Sequence, residues 1–91
     1  MLFALICTDK PGSLDIRKAN RADHLAYIEE TGVVSLAGPF IGEDGESMTG
    51  SLVVLDVADR AAAEAWAAKD PYALAGLFAS VDIRAWRRSV G

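Results

Sequence analysis

Long hydrophobic runs are missing from this 91-residue chain, although 52% of its residues are hydrophobic. Its apolar stretches are too short to cross a bilayer, so a single packed domain over residues 1–91 is expected, with no membrane partner. Basic residues are scarce: nine Lys and Arg stand against thirteen Asp and Glu, a formal net charge of −4. Nucleic acids and anionic membranes attract clustered Lys and Arg, and neither is expected here. The one basic cluster, Arg84, Arg87 and Arg88, reads as the solvated end of a last strand. There is one cysteine, Cys7, which excludes an internal disulfide and reads as a small buried hydrophobe. There is also one histidine, which leaves no second imidazole for a metal. Cys-x-x-Cys pairs, dinucleotide and phosphate-loop glycine signatures, and a Gly-x-Ser-x-Gly elbow are all absent, so no metal and no cofactor is expected. The N-terminal apolar run lacks the basic region and small-residue cleavage site of a signal peptide, and a reducing, cytoplasmic setting fits the unpaired cysteine.

What is present alternates between strand and helix signals. Leu2 to Thr8 reads as a strand with Leu2, Ala4 and Ile6 on one face and Phe3, Leu5 and Cys7 on the other, both apolar. After the Pro11-Gly12 turn, Ser13 is placed to cap a helix running to about Thr31, where Gly32 supplies the stop. Leu14, Ala22, Leu25, Ala26 and Ile28 form its incomplete apolar stripe. Val33 to Ile41 reads as a strand interrupted at Gly38-Pro39, the proline favouring an edge or a bulge. Gly42 to Glu46 is an acidic loop, and Thr49 to Val57 a strand apolar on both faces. Asp59 then caps an alanine-dense helix, Ala61 to Ala68, anchored by Trp66, and Ser80 to Arg87 forms the last strand.

The order βαββαβ predicts an α+β, ferredoxin-like fold with both helices on one face of an antiparallel sheet. The other face of such a sheet is normally polar, so two-faced apolar strands call for a second cover. The simplest cover is another copy of the chain, and a homodimer packed through its sheet faces is expected.

The residues able to carry chemistry are few. His24 falls at the margin of the first helix's apolar stripe, where a semi-buried general acid or base belongs, because imidazole titrates between pH 5 and 8. A histidine packing at a helix edge against a carbonyl accounts equally for its position. Asp70, in the step Asp70-Pro71-Tyr72, can orient that ring; it can also simply end one helix and cap the next turn, with Pro71 in first position. Arg17 and Arg21 lie on one side of the first helix near His24, as anion partners or as solvated surface charges. Ser51 has no nucleophile elbow but is able to donate a hydrogen bond to a ligand, and the ring of Tyr72 is able to pack while its hydroxyl reaches water.

Taken together, Asp9-Lys10-Pro11-Gly12-Ser13-Leu14, Arg17, Arg21, His24-Leu25, Ala37-Gly38-Pro39, Thr49-Gly50-Ser51 and Asp70-Pro71-Tyr72 resemble the YciI-like (YCII-related) proteins in order and spacing across the whole chain. Ala22 departs from the pattern, standing where relatives often carry a proline. The resemblance implies a dimeric α+β barrel of ferredoxin-like subunits, with His24 and Asp70 as a candidate catalytic pair. It also implies kinship with enzymes that dehydrochlorinate a chlorinated hydroxyhydroquinone, and a fold like that of muconolactone isomerases. The expected function is therefore a lyase or isomerase acting on a cyclic enolisable or phenolic small molecule. Pro39, Phe40, Ser51 and Tyr72 would line its pocket, with Arg17 or Arg21 as anion partner. The alternative is a noncatalytic dimer that binds a small metabolite or assists another enzyme. A third reading, an interaction domain using the loop Glu43-Asp44-Gly45-Glu46, competes with that loop being an ordinary solvated turn.

Overall fold

A computed structural model describes residues 1–91. The elements run β1 (Leu2–Asp9), α1 (Leu14–Thr31), β2 (Val34–Ile41), β3 (Met48–Asp56), α2 (Arg60–Lys69), the short α3 (Pro71–Leu74) and β4 (Phe78–Trp86). The strands form one antiparallel sheet in the order β2-β3-β1-β4, the ferredoxin-like arrangement expected. Beyond one-residue shifts at several element ends, two features differ from the sequence reading. β4 starts at Phe78 rather than Ser80, and β2 runs through Gly38-Pro39 without interruption. Continuity there costs little, because β2 is an edge strand and the missing Pro39 N–H breaks no inner ladder.

The core lies between the sheet and the helices. Phe3, Leu5 and Cys7 of β1 stand opposite Leu55, Val53 and Ser51 of β3, and Ala63 and Trp66 of α2 close over them. Ala63 is fully buried, so the alanine-dense face brings α2 close to the sheet while Trp66 fills the remaining gap. Asp59 caps α2 by accepting from the Ala62 N–H, and Gly32 ends α1 in the left-handed region with φ of 63°. Gly50 is required for a different reason: a Cβ there would stand 2.1 Å from the Cys7 carbonyl oxygen.

The first helix packs in an unexpected way. Leu14, Ala22, Leu25 and Ala26 are exposed, and of the apolar stripe only Ile28 is half-buried. The face turned inward carries Arg17, His24 and Thr31, spaced seven residues apart, with Tyr27 beside them. His24 is thus at the centre of the buried face and not at its margin. Hydrogen bonds take the place of apolar burial along this seam. At its C-terminal end Tyr27 Oη donates to the Trp66 carbonyl at 2.8 Å, and Trp66 Nε1 donates to Thr31 Oγ1 at 2.9 Å. Ser13 occupies the N-cap position, but its hydroxyl donates backward to the Lys10 carbonyl instead of accepting from the helix.

No helix covers the other face of the sheet. By the strand register it carries Ala4 and Ile6 of β1, Leu52 and Val54 of β3, Leu36 and Phe40 of β2 and Trp86 of β4. Leu36, Phe40 and Trp86 remain exposed there. No helix is long and apolar enough to cross a membrane.

Candidate active site

The inner face of α1, the end of β1, the start of β3 and the turn α3 meet at one end of the sheet. Pro71 pushes Asp70 out of helical geometry, to φ −58° and ψ 126°, and that extended residue caps α3 by accepting from the Tyr72 N–H at 3.0 Å. The same oxygen, Oδ1, lies 2.7 Å from His24 Nδ1. A carboxylate only accepts, so Nδ1 carries the proton and donates. Both readings of Asp70 hold at once: it is a cap, and it holds the histidine. His24 Nε2 makes no hydrogen bond, yet no buried side-chain nitrogen or oxygen lacks a partner, so Nε2 is open to the cleft that His24 lines.

Tyr72 lies flat against the imidazole, ring centroids 3.9 Å apart and planes 15° from parallel. Arg17 covers the same tyrosine, its guanidinium carbon 4.8 Å from the ring centroid. Arg17 is itself buried and held by Asp9 through two bonds of 2.8 Å, and it donates to Ser51 Oγ at 2.9 Å. Ser51 Oγ accepts that bond, which leaves its own hydrogen free to donate. Burial opposes the Arg17 charge, but hydrogen bonding and attraction to Asp9 outweigh it and raise its pKa above the ordinary value. Burial likewise pushes the Tyr72 hydroxyl up, with the charges of Arg17 and Arg21 pulling against it. Cys7, opposite Ser51 in the sheet, is pushed up to about 12, first by burial and then by the Asp70 charge, so its thiol is no nucleophile at neutral pH.

These side chains open onto a cleft of about 220 Å³. Its polar wall is Arg17, Arg21, His24, Ser51 and Tyr72; its apolar wall is Leu25, Ile28, Ala37, Pro39, Met48 and Val53. No group of three His, Cys, Asp or Glu side chains is placed to hold a metal ion. One histidine nitrogen, backed by a carboxylate and facing a small, mostly apolar cleft, can take and return a proton.

The structure brings together His24, Asp70, Arg17, Arg21, Pro39, Ser51 and Tyr72, but not Phe40. Phe40 stands opposite Gly50, one residue out of phase with Pro39 opposite Ser51, so strand alternation turns it to the uncovered sheet face. Arg17 lines the cleft as well, but its Nε and Nη2 are engaged by Asp9 and Ser51, and it braces the ring of Tyr72. Asp9 is the residue that sequence reasoning missed, and the signal for it is indirect, since an arginine on a buried helix face requires a carboxylate. The acidic loop is a locally satisfied turn: Asp44 accepts from the Ser47 hydroxyl and from the Glu46 and Ser47 N–H groups, which hold its carboxyl down to about 2.

Residues 1–87 match the profile of the YCII-related domain. Protein YciI of Escherichia coli O6:H1 is 32% identical, the match covering 97% of this chain and 98% of that protein. An uncharacterized protein of Haemophilus influenzae is similar to the same extent. Among solved structures, 5-chloro-2-hydroxyhydroquinone dehydrochlorinase (TftG) from Burkholderia phenoliruptrix AC1100, in complex with 2,5-dihydroxybenzoquinone, superposes with a TM-score of 0.86 at 34% identity, covering 98% of this chain and 96% of that one. An antibiotic biosynthesis monooxygenase, with a TM-score of 0.58 at 13% identity, shares the fold alone.

Proposed function

The chain belongs to the YCII-related domain family, and from that premise we propose that it is a small-molecule enzyme of lyase or isomerase type, moving protons on an enolisable or phenolic ring. The observation that carries this reading is the open Nε2 of His24, with Asp70 bonded to Nδ1 behind it. Asp70 fixes the tautomer that presents a lone pair to the cleft and stabilises the imidazolium formed when that lone pair takes a proton. The similar dehydrochlorinase supplies the reaction class.

On a halogenated ring of this kind, a hydroxyl gives its proton to Nε2, and the imidazolium returns it to the ring carbon bearing the halogen. The halide then leaves with its bonding electron pair while a second ring hydroxyl gives its proton to Nε2, free again as a base, which passes it to solvent, giving a quinone and a net loss of hydrogen halide. Ser51 Oγ and the Tyr72 hydroxyl are the neutral donors able to hold ring oxygens. A general base placed in this way contributes about 10²–10⁴-fold.

The working form is a homodimer joined through the uncovered sheet faces. Leu36, Phe40 and Trp86, exposed beside the apolar side chains of β1 and β3, support this. The test of function is chloride release from 5-chloro-2-hydroxyhydroquinone, the compound named for the similar enzyme, by wild type and His24→Asn. Release by the wild type that is lost in the variant upholds the proposal. Release equal in both removes His24 as the group that moves the proton, and none from the wild type above the spontaneous rate leaves the chain a noncatalytic binding protein toward that compound.

A further inference from the structure

The charged groups of the cleft are unequally matched. Arg17 is neutralised by Asp9, and His24 is backed by Asp70. Neither carboxylate lines the cleft; each lies behind the group it holds. Arg21 does line it, is exposed, and makes no ion pair or hydrogen bond. It is thus the only cation at the cleft wall without a carboxylate of its own, in a chain whose overall charge is −4. Anions drawn to this protein are drawn locally, against its net field.

Spacing adds a second constraint. Arg21 and His24 are three residues apart on α1, which sets their Cβ atoms about 5–6 Å from each other on the same side of the helix. One six-membered ring spans that interval. Resting on the proton-transfer reading above, we propose that Arg21 selects the charge of the substrate. The cleft takes a ring carrying an ionised carboxylate or phenolate, its anionic oxygen on the Arg21 guanidinium and its transferable proton on His24 Nε2. The apolar wall of Leu25, Ile28, Pro39 and Met48 covers the ring faces.

The experiment is an NMR titration with hydroxybenzoate and its uncharged isostere hydroxybenzamide, following the imidazole C–H signals, which are unambiguous in a protein with one histidine. The wild type is expected to bind the anion about five- to tenfold more tightly than the amide at low salt, the preference shrinking as salt is added. Arg21→Gln abolishes the preference, because the anion loses its charge partner and the amide does not. Arg21→Lys retains part of it, as a point charge without the guanidinium fork. Equal affinity for the two probes, a preference that survives in Arg21→Gln, or no response of His24 to either probe overturns the proposal. Because the readout is binding, an anion preference lost in Arg21→Gln stands even if the chloride-release assay fails, and only the proton-transfer reading then falls.

Discussion

Asp70 Oδ1 lies 2.7 Å from His24 Nδ1 while accepting from the Tyr72 backbone N–H, so one oxygen both starts α3 and sets the histidine. The orientation of the imidazole is therefore tied to the backbone turn that begins α3. Replacing this carboxylate has two separable effects. Asp70→Asn keeps an acceptor for the cap but loses the charge that stabilises an imidazolium, and is expected to lower turnover about 10²–10⁴-fold with little loss of stability. Asp70→Ala removes cap and partner together and is expected to cost about 1–3 kcal/mol as well. Urea unfolding of the two variants beside their turnover checks the split. Nitrogen NMR of the wild type is expected to show neutral His24 protonated on Nδ1.

The pair behind Tyr72 gives a prediction about stability. The side chains of Arg17 and Asp9 are both buried, and removing one leaves the other charged and alone. Asp9→Ala is expected to cost about 3–5 kcal/mol. Replacing both residues with apolar ones is expected to recover much of that loss, since the desolvation cost goes with the charges. A double-mutant cycle by chemical denaturation measures the coupling, and additive losses in the two single variants would contradict it.

The fold was legible where apolar periodicity and turn chemistry speak: the two-faced strand from Leu2, the stop at Gly32, the cap at Asp59, and the Asp70-Pro71 step. The packing of α1 was not, because a stripe scored by hydrophobicity passes over Arg17, His24 and Thr31, whose burial depends on partners far along the chain. Asp9 and Ser51 are such partners, brought to Arg17 only by the pairing of β1 with β3. Phe40 was misplaced for a smaller reason: reading Gly38-Pro39 as a break in the strand lost the count of alternation beyond it.

Cys7 makes stability fall at alkaline pH. Its folded pKa is raised to about 12 from an ordinary 9.0, so the folded state holds the thiol proton more tightly than the unfolded state. The sign follows: this contribution is fully present below about pH 9 and is lost as pH rises toward 12, at up to about 1.4 kcal/mol per unit. Tyr27 and Tyr72, both raised by burial, add in the same direction. Urea midpoints from about pH 9 to about pH 11 are expected to decline in the wild type and more gently in Cys7→Ala. Parallel declines would show that Cys7 does not carry the effect.

The uncovered sheet face gives the last prediction. Phe40 packs against the backbone at Gly50, where a Cβ would come within 3.3 Å of its ring, yet it remains exposed beside Leu36. A 91-residue chain has little core to spare, and a second sheet laid over Ala4, Ile6, Leu52 and Val54 would add apolar burial worth about 25 cal/mol per Å² before the costs of association. Light scattering is expected to give twice the chain mass for the wild type and the single chain mass for Phe40→Glu, because a carboxylate placed in a dry sheet–sheet contact has no partner there. The cleft lies on the opposite, helix-covered side of the sheet, so a monomeric Phe40→Glu that stays folded should still bind small ring acids next to His24. If the wild type has the single chain mass at every concentration, the apolar face needs another cover, and the dimer proposal fails without touching the site.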